Sequence, residues 1–149
     1  MTQELADPKN KLILVVDDDG PTRDLLEMTV KNEGFRVDTA ASGTEALKKA
    51  DAQAPDLIIL DFMLPGSGGY EVAKELQMGD ARSVPIIIVT GRRLDRNTTT
   101  MLRAEPNIKE YVEKPVKTPV LATMIHRILG TQPPTVNRKQ DRGPLSSSW

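Results

Sequence analysis

The sequence predicts a doubly wound α/β domain: a five-stranded parallel sheet covered by helices on both faces. Three observations predict it. Short, continuous runs of Ile, Val and Leu recur along the chain, as expected of strands buried on both sides. Helix-period segments separate them. Several runs end on a charged or hydroxyl residue, placing chemistry at the carboxyl ends of the strands, where open α/β sheets bind ligands.

Leu12-Ile-Leu-Val-Val16 is the first strand, and it stops at Asp17-Asp18-Asp19. Gly20-Pro21 then opens a helix, with proline in the first turn, where its missing N–H costs nothing. Leu25, Leu26, Met28 and Thr29 are expected to face the core until Gly34 ends the helix. Residues 35–40 alternate as a short second strand. Ser42-Gly-Thr-Glu45 is a capping box, and Ala46, Leu47 and Ala50 carry the helix behind it.

Residues 56–61 form the third strand, and the rest of the chain is organised around its end: Asp61, a turn on Pro65-Gly66, and a loop loosened by Gly68 and Gly69. A third helix spans 70–78. The fourth strand, 84–90, has Pro85 at its entrance and Thr90 at its end. The fourth helix, 95–104, is a poor one, because Thr98, Thr99 and Thr100 are weak helix formers. Ile108–Glu113 is the last strand and ends at Lys114-Pro115. The final helix covers 116–129, with Val120, Leu121, Met124, Ile125 and Ile128 on its buried face. The expected organisation is a flexible segment 1–10, a folded domain 11–130 and a disordered tail 131–149.

Composition narrows the chemistry. With 149 residues and a net charge of −1, the chain suits one soluble domain and gives no reason to expect direct nucleic-acid binding. Arg92, Arg93, Arg96 and Arg103 lack interleaved aromatics, so they read as a solvated or partner-facing helix. No apolar run is long enough to insert into a membrane, and the polar N-terminus does not read as a signal peptide, so a cytoplasmic location is expected. There is no cysteine and only one histidine, His126. That excludes thiolate metal sites and leaves a multi-histidine site or a Ser-His triad almost nothing to draw on. His126 itself is expected to face solvent.

Four features meet at the strand ends: Asp17–Asp19, Asp61, Thr90 and Lys114. Crowded carboxylates repel one another unless a cation joins them, and a few hard oxygen ligands suit Mg²⁺. A hydroxyl and an ammonium on flanking strands complete a clamp for phosphoryl oxygens. Asp61 is then placed to act as a nucleophile in aspartyl-phosphate chemistry. Asp19 is expected to cap the first helix rather than to touch the metal.

In order and spacing, these residues resemble the receiver domains of two-component response regulators (the CheY-like fold) over residues 11–129. The resemblance implies strand order 2-1-3-4-5 and names roles. Asp18 binds Mg²⁺ directly, Asp17 mostly through water, and the Met63 backbone carbonyl is a third contact. Asp61 is the phosphoacceptor, Thr90 the switch hydroxyl, Lys114 the phosphoryl-binding lysine in a cis peptide with Pro115, and Tyr111 the aromatic that turns inward. Met63 and Arg92 tune dephosphorylation, and their bulk points to a persistent signal. The implied donor is a histidine kinase or histidine phosphotransfer protein. The implied output is a downstream protein meeting the face of the fourth helix, last strand and last helix. The domain would promote its own phosphorylation and dephosphorylation, either alone or as part of a larger regulator or hybrid kinase.

The sequence departs from the family before the last strand, where it reads Ala104-Glu-Pro-Asn-Ile-Lys-Glu-Tyr111 and the family usually has a Gly-Ala pair, and at Gly91, where alanine is commoner. A competing class is the haloacid-dehalogenase type of phosphatase, whose Asp-x-Asp-Gly start Asp17–Gly20 resembles. That family needs an acidic pair after its lysine, and only Asp141 follows Lys114. A third reading, a degenerate receiver used only for binding, conflicts with the intact constellation.

Overall fold

The computed structural model describes residues 4–66, 68–79, 81–91 and 93–134. Five parallel strands, β1 (Leu12–Val16), β2 (Arg36–Ala40), β3 (Leu57–Asp61), β4 (Ile86–Thr90) and β5 (Ile108–Glu113), lie in the order β2-β1-β3-β4-β5. The connecting helices are α1 (Gly20–Asn32), α2 (Gly43–Gln53), α3 (Gly69–Met78), α4 (Arg96–Arg103) and α5 (Thr118–Leu129). Strand order reverses direction between β1 and β3, which opens a crevice at their carboxyl ends.

Alternation along the central strands splits the core in two. Ile13, Val15, Leu57, Ile59, Ile87 and Val89 pack with Leu26 and Val30 of α1 and Leu121 and Ile125 of α5. Leu14, Val16, Ile58, Leu60, Ile86 and Ile88 pack on the other side with Ala46 of α2, Val72 and Leu76 of α3 and Leu102 of α4. Each fully buried Ile or Leu contributes on the order of 1.5–3 kcal/mol, so the three central strands anchor the domain.

The helix ends follow from local chemistry. Asp19 caps α1, its Oδ2 accepting from the Thr22 N–H at 3.1 Å and the Thr22 hydroxyl at 2.6 Å. Ser42 caps α2, and Glu45 reaches back to the Ala41 N–H, one residue before the cap. α4 has only eight residues and sends only Leu102 into the core, in keeping with its threonine run.

Three expectations are corrected. In α1 the buried residues are Leu26, Thr29 and Val30, whereas Leu25 and Met28 are 45% and 60% exposed. An i, i+3, i+4 stripe already fills the contact with the sheet and turns its flanks outward. In α5 Val120 is half exposed, and buried His126 joins Leu121, Ala122 and Ile125 instead. His126 is buried because its ring nitrogens have partners, Glu33 Oε1 at 2.8 Å and Thr131 Oγ1 at 2.6 Å, and its ring lies against Phe35.

The ends of the domain also meet. Asp7 caps a 3₁₀ turn at Pro8–Asn10. Ala6 donates to the Gly130 carbonyl at 2.8 Å and accepts from the Gln132 N–H at 3.0 Å, forming a parallel bridge with Thr131. Parts of both segments read as flexible from the sequence therefore hold each other. Residues 135–149 of the expected tail lie outside the described residues.

Candidate functional site

The crevice is built by neighbouring strand ends. Val16 and Leu60 are register partners, so Asp17, one residue beyond β1, stands beside Asp61, the last residue of β3. Asp61 in turn pairs with Val89, which puts Thr90 at the next strand end. Thr90 pairs with Glu113, and its carbonyl accepts the Lys114 N–H at 2.8 Å. The Lys114–Pro115 peptide is cis.

The structure brings Asp17, Asp18, Asp61 and Lys114 together. One carboxylate oxygen from each of the three aspartates lies within 4.8 Å of the others. Asp17, Asp61 and Thr90 are buried, whereas Asp18 is exposed. The Lys114 ammonium stands 3.1 Å from Asp17 Oδ2 and 3.8 Å from Asp61 Oδ2. Asp17 Oδ2 is close enough to it for an ion pair, yet it accepts no aligned hydrogen bond. Asp17 Oδ1 accepts the Asp19 N–H at 2.9 Å, and Asp61 Oδ1 accepts the Met63 N–H at 3.1 Å.

Burial raises the Asp61 pKa, and the negative charges of Asp17 and Asp18 push it further; the Met63 N–H and Lys114 oppose the rise without cancelling it. Burial alone would lower the Lys114 pKa, but the Asp17 carboxylate, with Asp61 and Asp19 adding to it, offsets the burial and the net shift is upward. One ammonium is thus shared among more negative charge than it can neutralise. Three carboxylates that each bring an oxygen within 4.8 Å of the others, one of them with a buried oxygen that accepts no aligned hydrogen bond, fit a small divalent cation such as Mg²⁺.

Of the other predicted residues, Met63 meets this cluster through its backbone, its N–H donating to Asp61 Oδ1. Tyr111 lies on β5 opposite Ile88, half-buried against the α4-side core, with the Arg103 guanidinium 5.8 Å from its ring centroid. The Met63 side chain is 48% exposed, and Arg92 lies outside the described residues. Two residues whose roles were not legible in the sequence also shape the crevice. Arg23 Nη1 donates to the Asp17 carbonyl at 2.9 Å, fixing the acidic loop from the first turn of α1. A Cβ on Gly69 would stand 2.8 Å from the Phe62 Cα and closer still to the Asp61 carbonyl oxygen, so α3 can start this near the end of β3 only with glycine there. The short Gly68-Gly69 pair after a strand-end acid was the available signal.

A family model described as the response regulator receiver domain matches residues 13–126. The transcriptional regulatory protein AfsQ1 of Streptomyces coelicolor is 41% identical over 117 residues, which is 78% of this chain and 50% of that protein. The alkaline phosphatase synthesis transcriptional regulatory protein PhoP of Bacillus subtilis is 42% identical over 71% of this chain and 43% of its own length. The chain thus spans about half the length of the curated relatives it matches. Among solved structures, the chemotaxis protein CheY4 of Vibrio cholerae superposes with a TM-score of 0.74 at 29% identity, covering 80% of this chain and 98% of that one. The receiver domain of a sensor histidine kinase from Pseudomonas aeruginosa, whose structure has a magnesium ion coordinated in the active-site cleft, gives 0.72 at 30% identity and covers 81% and 98%.

Proposed function

The chain belongs to the response regulator receiver domain family, and from that membership we propose that it is a phosphorylation switch whose phosphoryl group is carried by Asp61. The observation that carries the assignment is the placement of Asp61: buried, at the end of a central strand, between an acidic cluster and a lysine ammonium.

Asp61 Oδ1 is occupied by the Met63 N–H, so Oδ2, which faces Lys114, is the oxygen assigned to bond formation. It attacks the phosphorus of a phosphohistidine on a histidine kinase or histidine phosphotransfer protein. The new O–P bond forms as the N–P bond breaks, and the imidazole leaves with the electron pair. Lys114 turns from the carboxylates to the incoming phosphoryl oxygens, and the Thr90 hydroxyl closes on them from the next strand. Mg²⁺, held by Asp17, Asp18, Asp61 and the Met63 carbonyl, would supply positive charge that keeps the carboxylates ionised and offsets the phosphoryl charge. Arg23 and the Asp19 N–H keep the Asp17 loop in place.

The output is a population shift: Thr90 engages the phosphoryl group, Tyr111 turns inward, and the face of α4, β5 and α5 changes its preference for a downstream protein. The domain promotes its own loading and hydrolysis, and Met63 with Arg92 slows the attacking water. Among the described residues no helix is long and apolar enough to cross a membrane. A cytoplasmic location without direct nucleic-acid contact fits this reading.

The test is intact-mass measurement after incubation with a small phosphodonor and Mg²⁺. The wild type is expected to gain one phosphoryl group and Asp61→Ala none. Labelling that survives in Asp61→Ala, or turnover of phosphate esters through Asp17, would reject the assignment in favour of a phosphatase-like reading.

A further inference from the structure

The loop joining α4 to β5 makes contacts that the phosphorylation site does not use. Both carboxylate oxygens of Glu105 are held by α3: the Tyr70 hydroxyl donates to Oε1 at 3.0 Å, and the Gln77 amide donates to Oε2. Tyr70, Lys74 and Gln77 follow i, i+4, i+7 spacing on one stripe of α3, and the Lys74 ammonium lies 5.5 Å from the Tyr70 ring centroid. The bond to Glu105 is the main reason the Tyr70 phenol titrates above its ordinary range.

Two residues further on, the same loop holds an opposing feature. Asn107 is 3% exposed, and neither its Nδ2 nor its Oδ1 has a hydrogen bond among the described residues. Its backbone carbonyl accepts the Ile86 N–H at 2.7 Å, and the β4–β5 register shifts between Ile86 and Ile87. A buried amide without partners disfavours the arrangement that contains it. One loop therefore carries a tether and an unfavourable burial side by side.

The helix that supplies the tether starts against the backbone of Asp61 and Phe62. Gly69 donates to the Phe62 carbonyl at 3.0 Å and leaves no room for a side chain against the Asp61 backbone; Tyr70 is the next residue. α4, by contrast, holds to the core through Leu102.

We infer that Glu105 is a latch holding α4 and the start of β5 against α3 in the unphosphorylated domain, with Asn107 favouring release. The inference rests on the phosphorylation reading above. It adds a line from Asp61 to the output face that runs through α3 rather than through Thr90 and Tyr111. Release breaks two hydrogen bonds and lets the Asn107 amide reach water. A contact made in only one of two states biases their ratio by that contact's worth, so the latch sets how readily the site is occupied.

Hydrogen exchange by mass spectrometry on the full chain, with and without Mg²⁺ and beryllofluoride, tests this with opposed variants. Glu105→Ala is expected to speed exchange across residues 96–111 without beryllofluoride and to lower its half-saturating concentration about three- to tenfold. Tyr70→Phe keeps the Gln77 bond and should give a smaller change in the same direction. Asn107→Val should do the reverse, slowing exchange and raising half-saturation. Protection of β1 and β3 should stay constant throughout. Unchanged exchange at 96–111 in Glu105→Ala, a uniform loss across the sheet, or shifts of the same sign in Glu105→Ala and Asn107→Val would overturn the latch. If the wild type itself takes up no beryllofluoride, the phosphorylation reading fails, and the latch is judged by ligand-free exchange alone.

Discussion

Replacing Asp61 by asparagine should stabilise the domain when no divalent cation is present. The residue is 3% exposed, and asparagine keeps its Oδ1 acceptor for the Met63 N–H while losing the charge. The Coulomb terms from Asp17 and Lys114 nearly cancel, and exposed Asp18 adds a further repulsion screened by solvent. Oxygens of Asp17 and Asp61 within 4.8 Å repel by at least about 3.5 kcal/mol at an effective dielectric of about 20. Lys114 Nζ at 3.8 Å attracts Asp61 by about 4 kcal/mol on the same scale. Burial of the charge then decides the sign, and a net gain of roughly 1–2 kcal/mol results once Asp61 is neutral. For a domain of this size that raises the unfolding midpoint by roughly 3–8 °C.

The gain has a pH signature. Asp61 titrates higher in the fold than its ordinary 3.8, so the folded chain holds that proton more tightly than the unfolded chain does. The penalty for the wild type is complete above the raised value, fades as pH falls through it, and is gone below the ordinary one. Thermal unfolding followed by circular dichroism in EDTA should therefore show Asp61→Asn above wild type at pH 7 and level with it at about pH 3. Adding Mg²⁺ at about ten times its dissociation constant should return about 1.4 kcal/mol to the wild type and less to the variant. An asparagine variant no more stable than wild type at pH 7, or equally advantaged at both pH values, would refute the reasoning.

Three further outcomes are expected. Gly69→Ala must push α3 away from the end of β3, because backbone atoms surround the new Cβ; a loss of about 1–3 kcal/mol in urea unfolding and weaker Mg²⁺ binding are expected, and a neutral variant would contradict the packing described. Lys114→Met removes the ion-pair partner of fully buried Asp17, and since the lysine side chain is 24% exposed the expected loss without divalent cation is about 1–3 kcal/mol, a loss that Mg²⁺ should largely reverse. Met63→Asn should shorten the lifetime of the phosphoryl group on Asp61, measured by intact mass against time, and an unchanged lifetime would remove Met63 from the tuning role.

The sheet and the residues at its rim were legible from the sequence for the same reason. A parallel strand buried on both faces must be a short apolar run, and the residue that ends the run must leave the core where its neighbours do. Asp17, Asp61, Thr90 and Lys114 needed no side-chain detail to be brought together, only strand order. Helix faces were less legible. Leu25, Met28 and Val120 are as apolar as residues that are buried, but a helix turns 100° per residue and the sheet contacts only part of an apolar stripe. His126 could not be placed from its own helix, because its partner Glu33 lies 93 residues away and its other partner, Thr131, falls in a segment that composition assigned to a tail.

Gly69 shows the same limit at the site itself. A glycine pair after a strand-end acid reads as a loose loop, whereas in the fold Gly69 is the point where a helix meets the backbone of Asp61. That proximity gives the departure at Glu105 and Asn107 its meaning. A substitution in the loop before β5 is only a surface change until α3 is seen to start against the backbone of Asp61 and Phe62 and to be tethered further along to that loop. A tether of this kind can act as a switch only if the released state is within a few kcal/mol of the held one. The unpartnered Asn107 amide narrows that gap, and the eight-residue α4, with Leu102 its one buried side chain, keeps the cost of moving low.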